Sequence, residues 1–396
     1  MARTAKPIRI PISNLLLGND YTGRLYVGSE RKPVNLLLDT GSSTLAIEHR
    51  SYDPAGDRHA EKTRLVQEVA YGDGSHWVGS VVKTDVSTSG NAADLPGVPV
   101  AVAYHETVQM FGKAQGILGL AYKPLDDAIE VDRPTIPPKY SPNDIRAGRR
   151  TFVEPYFMQL EEAGLVANKF SFYTRRSVMR AAPREPSASD PMNHGFMILG
   201  GGEEATDLYM GAFQEARVLS DDWYSVNLKQ VIVGGSRPIA VAPPTRQSRA
   251  PTNAIVDSGT NGLDLAPAVF DAILRELSPA QVALLRARQV STSRLVLAEW
   301  PTITFVLEGM RDDVRLDVPP EHYWQMDAWE AGTAAGSLWR ADAEQSILGL
   351  PLMNGYLTVF DCSANRGLGV VRFATAKPQP REEKARPRAR ATATAD

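Results

Sequence analysis

The chain has 396 residues, with 43 Lys and Arg against 46 Asp and Glu for a net charge of −3, 43% hydrophobic residues and one cysteine, Cys362. That length provides for two domains, or one large one, with ample material for a core, and 31 Gly and 28 Pro exclude a collagen-like or wholly disordered chain. A lone cysteine cannot form an internal disulfide or a thiolate metal cage, which argues against the disulfide-stapled secreted class.

The opening residues MARTAKPIRIPISN are basic but contain no apolar run of signal-peptide length, and no stretch approaches the roughly 18 apolar residues of a membrane span. No Asn-X-Ser/Thr sequon occurs. A soluble, cytoplasmic protein is the expectation. Residues 24–28 and 33–38 are brief apolar runs separated by Gly and charged residues, as strands around a tight connection would be. Residues 80–87, 98–103, 170–173, 196–199, 224–233, 302–307 and 356–360 repeat the pattern, so the chain reads as mainly β. Helical spacing is confined to 156–163, which ends at Gly164, and 267–285, both expected as surface helices on a β body. Residues 123–150, with five prolines, and 177–192 read as long surface loops. From Ala376 onward six basic and three acidic residues stand among Pro, Ala and Thr with nothing to bury, which predicts a disordered, solvated tail over 376–396 with no nucleic-acid partner. The six histidines show no metal-ligand spacing, and neither a metal nor a cofactor is expected.

A loose internal repeat organises the rest. Leu36-Leu-Leu-Asp39-Thr40-Gly41-Ser42 is followed by Gly116-Ile-Leu-Gly-Leu120, and Ala254-Ile-Val-Asp257-Ser258-Gly259-Thr260 by Ser346-Ile-Leu-Gly-Leu350. The same two elements in the same order imply a duplicated β domain that brings one loop from each half together, with a first lobe over 1–190 and a second over 191–375. An apolar strand ending in Asp-Thr/Ser-Gly places a carboxylate at a strand-to-turn transition, where a hydroxyl can donate to it and Gly allows backbone geometry closed to other residues. Two carboxylates close enough to share a proton do not both ionise easily; the aspartic-protease pair is the standard example of this effect. A water between them loses a proton to the ionised partner and attacks a carbonyl that the protonated partner polarises.

On these motifs, together with Tyr71-Gly-Asp-Gly-Ser75 and Tyr356-Leu-Thr-Val-Phe-Asp361, the sequence resembles the pepsin family of aspartic peptidases from about Tyr21 to Ala374. The resemblance implies a bilobal acid-protease fold of two similar β-barrel-like lobes, with Asp39 and Asp257 as the catalytic pair and Ser42 and Thr260 bracing their outer oxygens. It further implies that Tyr71 and Gly72 belong to a flap over the cleft and that an extended peptide pairs with the flap and with residues near Gly41 and Gly259. Tyr71 and Ile117 are the expected apolar wall, which implies cleavage between bulky hydrophobic residues and inhibition by pepstatin-type compounds. Asp73 is either a carboxylate for a basic side chain before the cut or a support for the hairpin turn. Retention of Ser42 and Thr260 implies an acidic optimum.

Several positions depart from the family pattern. The Trp common seven residues after the first Asp is Ala46 here, and Trp77 is either its stand-in or an ordinary hairpin aromatic. Asn261 stands where Ser or Thr is usual, Cys362 has no disulfide partner and reads as a small buried residue, and only 38 residues precede Asp39, so no activation prosegment is expected. In these absences the chain resembles pepsin homologues of bacteria. One chain supplies both aspartates, so a monomer is the default. A peptide-binding relative without turnover and a two-carboxylate glycosidase are the competing readings.

Overall fold

A computed structural model describes residues 6–377 apart from 73, 91–94, 108–110, 133–146, 246–247 and 249. The apolar runs read from the sequence lie in strands, because a continuous or alternating apolar run buries one or both faces of a sheet. The protein is mainly β and bilobal. One sheet has fifteen strands. Six of them form a platform that mixes both halves of the sequence, in the order Ile8–Ser13, His194–Leu199, Lys169–Tyr173, Tyr356–Asp361, Val370–Ala376 and Tyr209–Arg217. The expected boundary at 190 falls within this platform, since Ile8 pairs with Leu199 and Ser13 with His194. On the platform, Phe170 stacks on Phe360 at 5.0 Å between centroids, and Tyr224 meets Phe360 at 4.5 Å. The nearly buried Asp361 is compensated by Arg372 at 2.9 Å, whose guanidinium also reaches Glu203 and Glu215.

The remaining nine strands of that sheet come from the first half and carry the first Asp loop. The second half adds separate sheets of five, four and three strands, the five-stranded one carrying the second loop. The two loops have the same local topology. Lys32–Asp39 runs parallel to Gly116–Gly119, which is antiparallel to Leu45–Glu48. Ala254–Val256 runs parallel to Ser346–Leu348, which is antiparallel to Leu263–Leu265. The register is equivalent as well: Leu38 lies opposite Leu118 and Val256 opposite Leu348.

The structure departs from the sequence reading in five places. The helix expected over 267–285 is two, Pro267–Arg275 and Pro279–Arg286. Pro279 biases Ser278 to extended backbone, and Ser278 then caps the second helix in a reciprocal box with Gln281. The strand expected over 224–233 breaks at Asn227, and Ser225–Val226 and Leu228–Val233 join different sheets. The excursion 123–150 is not all loop: Asp127–Glu130 pairs with the strand Glu61–Ala70 and with Arg149–Phe152, where Glu130 meets Arg64 and Arg149, while 133–146 lie outside the described residues. The segment 177–192 is anchored, with Ser177, Val178 and Asp190 buried and the Asn193 amide donating to the carbonyls of Arg180 and Ser187. The expected tail begins later than 376, because Ala376 closes a strand and the Lys377 N–H donates to Leu208; 378–396 lie outside the described residues. Among the described residues no helix is long and apolar enough to cross a membrane.

Candidate active site

Each Asp-Thr/Ser-Gly loop begins where its parallel strand pair runs out. Leu120 N–H donates to the Asp39 carbonyl at 2.8 Å, and Asp257 N–H donates to the Leu348 carbonyl at 3.2 Å. The Gly of each Ile-Leu-Gly run lets the loop close down on it. A Cβ at Gly119 would collide with the backbone of Ser43 and Thr44, and one at Gly349 with the carbonyls of Thr260 and Gly262. The Ala121 N–H donates to the Ser42 carbonyl at 2.8 Å; in the second copy the equivalent residue is Pro351, which has no N–H, and Leu350 donates to Thr260 at 2.8 Å instead.

The two carboxylates are matched atom for atom. Asp39 Oδ1 accepts from Gly41 N–H at 2.8 Å and Oδ2 from Ser42 Oγ at 2.5 Å. Asp257 Oδ1 accepts from Gly259 N–H at 2.9 Å and Oδ2 from Thr260 Oγ1 at 2.7 Å. The expected bracing by Ser42 and Thr260 is therefore present in the geometry. Both aspartates are nearly enclosed, 5% and 6% exposed, and each loop's Gly stands against the opposite loop's carboxylate. Burial, and then the negative charge of Asp257, push the Asp39 carboxyl well above the ordinary carboxylate range, against the donors Ser42 and Gly41.

Two motif residues not singled out in the sequence tie the loops together. Thr40 N–H donates to Ser258 Oγ at 3.1 Å, and Ser258 N–H donates to Thr40 Oγ1 at 2.9 Å. The same hydroxyls donate onward, Thr40 Oγ1 to the Val256 carbonyl and Ser258 Oγ to the Leu38 carbonyl. The hydroxyl residue after Asp in both copies was the signal. The glycines are also explained differently from the sequence reading. Neither Gly41 nor Gly259 has a positive φ. A Cβ at Gly41 would sit 3.0 Å from the Asp257 carboxylate, and one at Gly259 would collide with Asp39 Oδ1. Close approach of the opposite carboxylate, not backbone freedom, is what each position demands.

The flap is the hairpin of Glu61–Ala70 and His76–Ser87. At its tip Tyr71 N–H donates to the Ser75 carbonyl at 2.8 Å, and Gly74 adopts a φ of 85°. A Cβ at Gly72 would meet nothing, and Asp73 lies outside the described residues. Trp77, fully buried, directs its indole N–H to the Tyr71 hydroxyl at 3.3 Å and packs with Ala46, Phe111 and Ile117. The aromatic missing at position 46 is thus replaced from the flap's own second strand. Ile117 is 1% exposed and backs this cluster, with partly buried Tyr71 packed on it. Asn261 makes no hydrogen bond among the described residues and leaves the Thr260 brace undisturbed. Cys362 is half-buried, its thiol 3.5 Å from the Tyr224 hydroxyl and pushed up by burial to about 11, away from the thiolate form.

Two further carboxyls had no sequence signal. The Asp126 carboxyl lies under the first loop, where Oδ1 accepts from Thr44 Oγ1 at 2.7 Å and Gln67 Nε2 at 2.6 Å, and burial pushes it up to about 7. Asp20 precedes Tyr21, whose carbonyl takes the Leu38 N–H at 3.1 Å; burial, and then the charge of Asp257, raise its carboxyl to about 7. Among the described residues no group of His, Cys, Asp and Glu has the arrangement of a metal site.

The family model described as eukaryotic aspartyl protease matches residues 20–376. The chain is similar to pepsin A of Sus scrofa, 23% identical over 90% of this chain and 82% of that protein, and to gastricsin of Callithrix jacchus, 23% identical over 90% of this chain and 81% of that one. It is also similar to secreted aspartic protease 5 of Candida albicans, 24% identical over 64% of this chain, where the match spans about half, 53%, of that relative's length.

Proposed function

The chain belongs to the eukaryotic aspartyl protease family and is a pepsin-like aspartic endopeptidase; from that premise we propose that Asp39 and Asp257 are its catalytic pair, cleaving between bulky hydrophobic residues at acidic pH. The observation that carries the assignment is the matched bracing of two buried carboxylates whose shared environment keeps a proton on the pair.

A water held between the carboxylates gives one proton to the ionised partner as its oxygen bonds to the peptide carbonyl carbon. The protonated partner passes its proton to the carbonyl oxygen, forming a neutral tetrahedral diol. The diol collapses as its C–N bond breaks, one hydroxyl proton returning to a carboxylate and the amine nitrogen taking a proton from the pair. The chain's own groups supply each transfer. Support for an apolar preference is the cluster of Ile117, Phe111 and Trp77 behind Tyr71. A single chain that holds both aspartates supports action as a monomer.

The sign of the pH dependence follows from Asp39. A raised carboxyl keeps the shared proton beyond the ordinary titration near pH 4, and catalysis is lost as pH rises far enough to strip it. A quenched peptide library assayed from pH 2 to 8, with and without pepstatin, tests the reading. Pepstatin-sensitive cleavage at hydrophobic pairs, falling away on the alkaline side, is the expected result. Binding of peptides without cleavage at any pH would instead favour a non-catalytic relative.

A further inference from the structure

The two catalytic loops are near copies, and their symmetry breaks at one carbonyl. The Gly41 carbonyl accepts a hydrogen bond from the indole N–H of Trp223 at 2.9 Å, whereas the Gly259 carbonyl has no partner among the described residues. Trp223 is half-buried and belongs to neither loop. Its neighbours touch both. The Asp222 carbonyl accepts from Tyr122 N–H at 3.4 Å, and the Tyr224 hydroxyl donates to the Leu120 carbonyl at 2.8 Å, one residue beyond the first Ile-Leu-Gly run. On the other side the Tyr224 carbonyl accepts at 3.1 Å from the N–H of Val256, directly before Asp257, and Ser225 pairs with Ile255. Residues 222–225 therefore brace the first loop largely through side chains and the second through backbone.

We propose that Trp223 is a positioning residue of the cleft, which holds the Gly41 carbonyl in place for the peptide backbone bound on that side and thereby sets how well the enzyme uses that half of a substrate. The proposal rests on the aspartic endopeptidase reading above. A carbonyl oxygen has two lone pairs, so the indole occupies one and orients the other. The Gly41 peptide also stands against Asp257, since a Cβ there would lie 3.0 Å from its carboxylate, so a shift of this peptide disturbs the pair itself. The Gly259 carbonyl has no such strut among the described residues, and substrate contacts on its side do not depend on Trp223.

The test compares Trp223→Phe with the parent on two quenched peptides that share a scissile pair, one extended on both sides and one truncated on the Gly41 side. A second variant carries 3-benzothienylalanine at position 223, which keeps the bicyclic ring and lacks only the N–H. Loss of one hydrogen bond predicts a fall in kcat/KM of about 2- to 10-fold on the extended peptide, with a smaller fall on the truncated one, an unchanged melting temperature and a shifted pH profile. Parent kinetics in the benzothienyl variant, or equal losses on both peptides, would overturn the proposal. Should the parent cleave neither peptide, the endopeptidase reading itself fails, an outcome distinct from a variant that behaves as the parent does.

Discussion

A methyl group added at Gly259 would run into Asp39 Oδ1, and one at Gly41 would press on the Asp257 carboxylate from 3.0 Å. Each loop thus carries a carboxylate of its own and a bare backbone for the carboxylate opposite. The expected effect of Gly259→Ala is a loss in kcat/KM of at least about 100-fold, because displacement of reacting groups by about 1 Å is enough to cost that much, with the circular dichroism spectrum retained; steady-state kinetics and the spectrum check it. At this scale the sequence was most legible. Asp39, Gly41, Ser42, Asp257, Gly259 and Thr260 all meet around one point, and they were readable because a duplicated motif marks the positions it repeats. The reason for the glycines was not readable, since nothing local in either copy reveals what the other half places against it. Trp77 was readable only as one of two alternatives, because five residues of hairpin separate it from Tyr71, whose hydroxyl its indole reaches.

Among the elements, the excursion after residue 123 illustrates what composition conceals. Its prolines and charges suit a surface loop, yet Asp127–Glu130 and Arg149–Phe152 extend the flap's sheet, held by cross-strand pairing to Glu61–Ala70. At the base of this addition Asp126 accepts from Thr44, next to the first loop, and from Gln67, on the flap's first strand, so one buried carboxyl joins loop, flap and added strands. Its folded-state titration near 7 lies above the ordinary value near 4. The folded chain therefore keeps a proton that the unfolded chain releases, and the resulting stability is fully present below about pH 4 and is lost as pH rises through about 7. Asp126→Asn, which mimics the protonated side chain, is expected to raise the melting temperature at pH 7.5 by about 2–5 °C and to leave it nearly unchanged at pH 4. Calorimetric scans at the two pH values check this, and equal effects at both would show that Asp126 titrates normally. The divided helix at Pro279 and the broken strand at Asn227 escaped notice for a related reason: apolar spacing continues across both breaks, while capping by Ser278 and recruitment to different sheets are decided by neighbours.

For the whole molecule, duplication explains why two lobes built from separated sequence converge on one centre. The crossed bonds of Thr40 and Ser258 make each loop's position a condition for the other's, and the platform strands from both halves hold the lobes on a common base. The repeat revealed that the loops would meet. It did not reveal the platform, whose pairing of Ile8–Ser13 with His194–Leu199 joins segments with no shared motif. The claim on which everything else depends is that Asp39 and Asp257 act as one proton-sharing unit on a bound water. The most direct measurement is the turnover of one cleavable peptide by Asp39→Asn, Asp257→Asn and the parent at the parent's optimal pH. An at least roughly 10,000-fold loss of kcat in either variant, with fold and peptide binding retained, is the expected result; a variant that turns over within about tenfold of the parent would contradict the account.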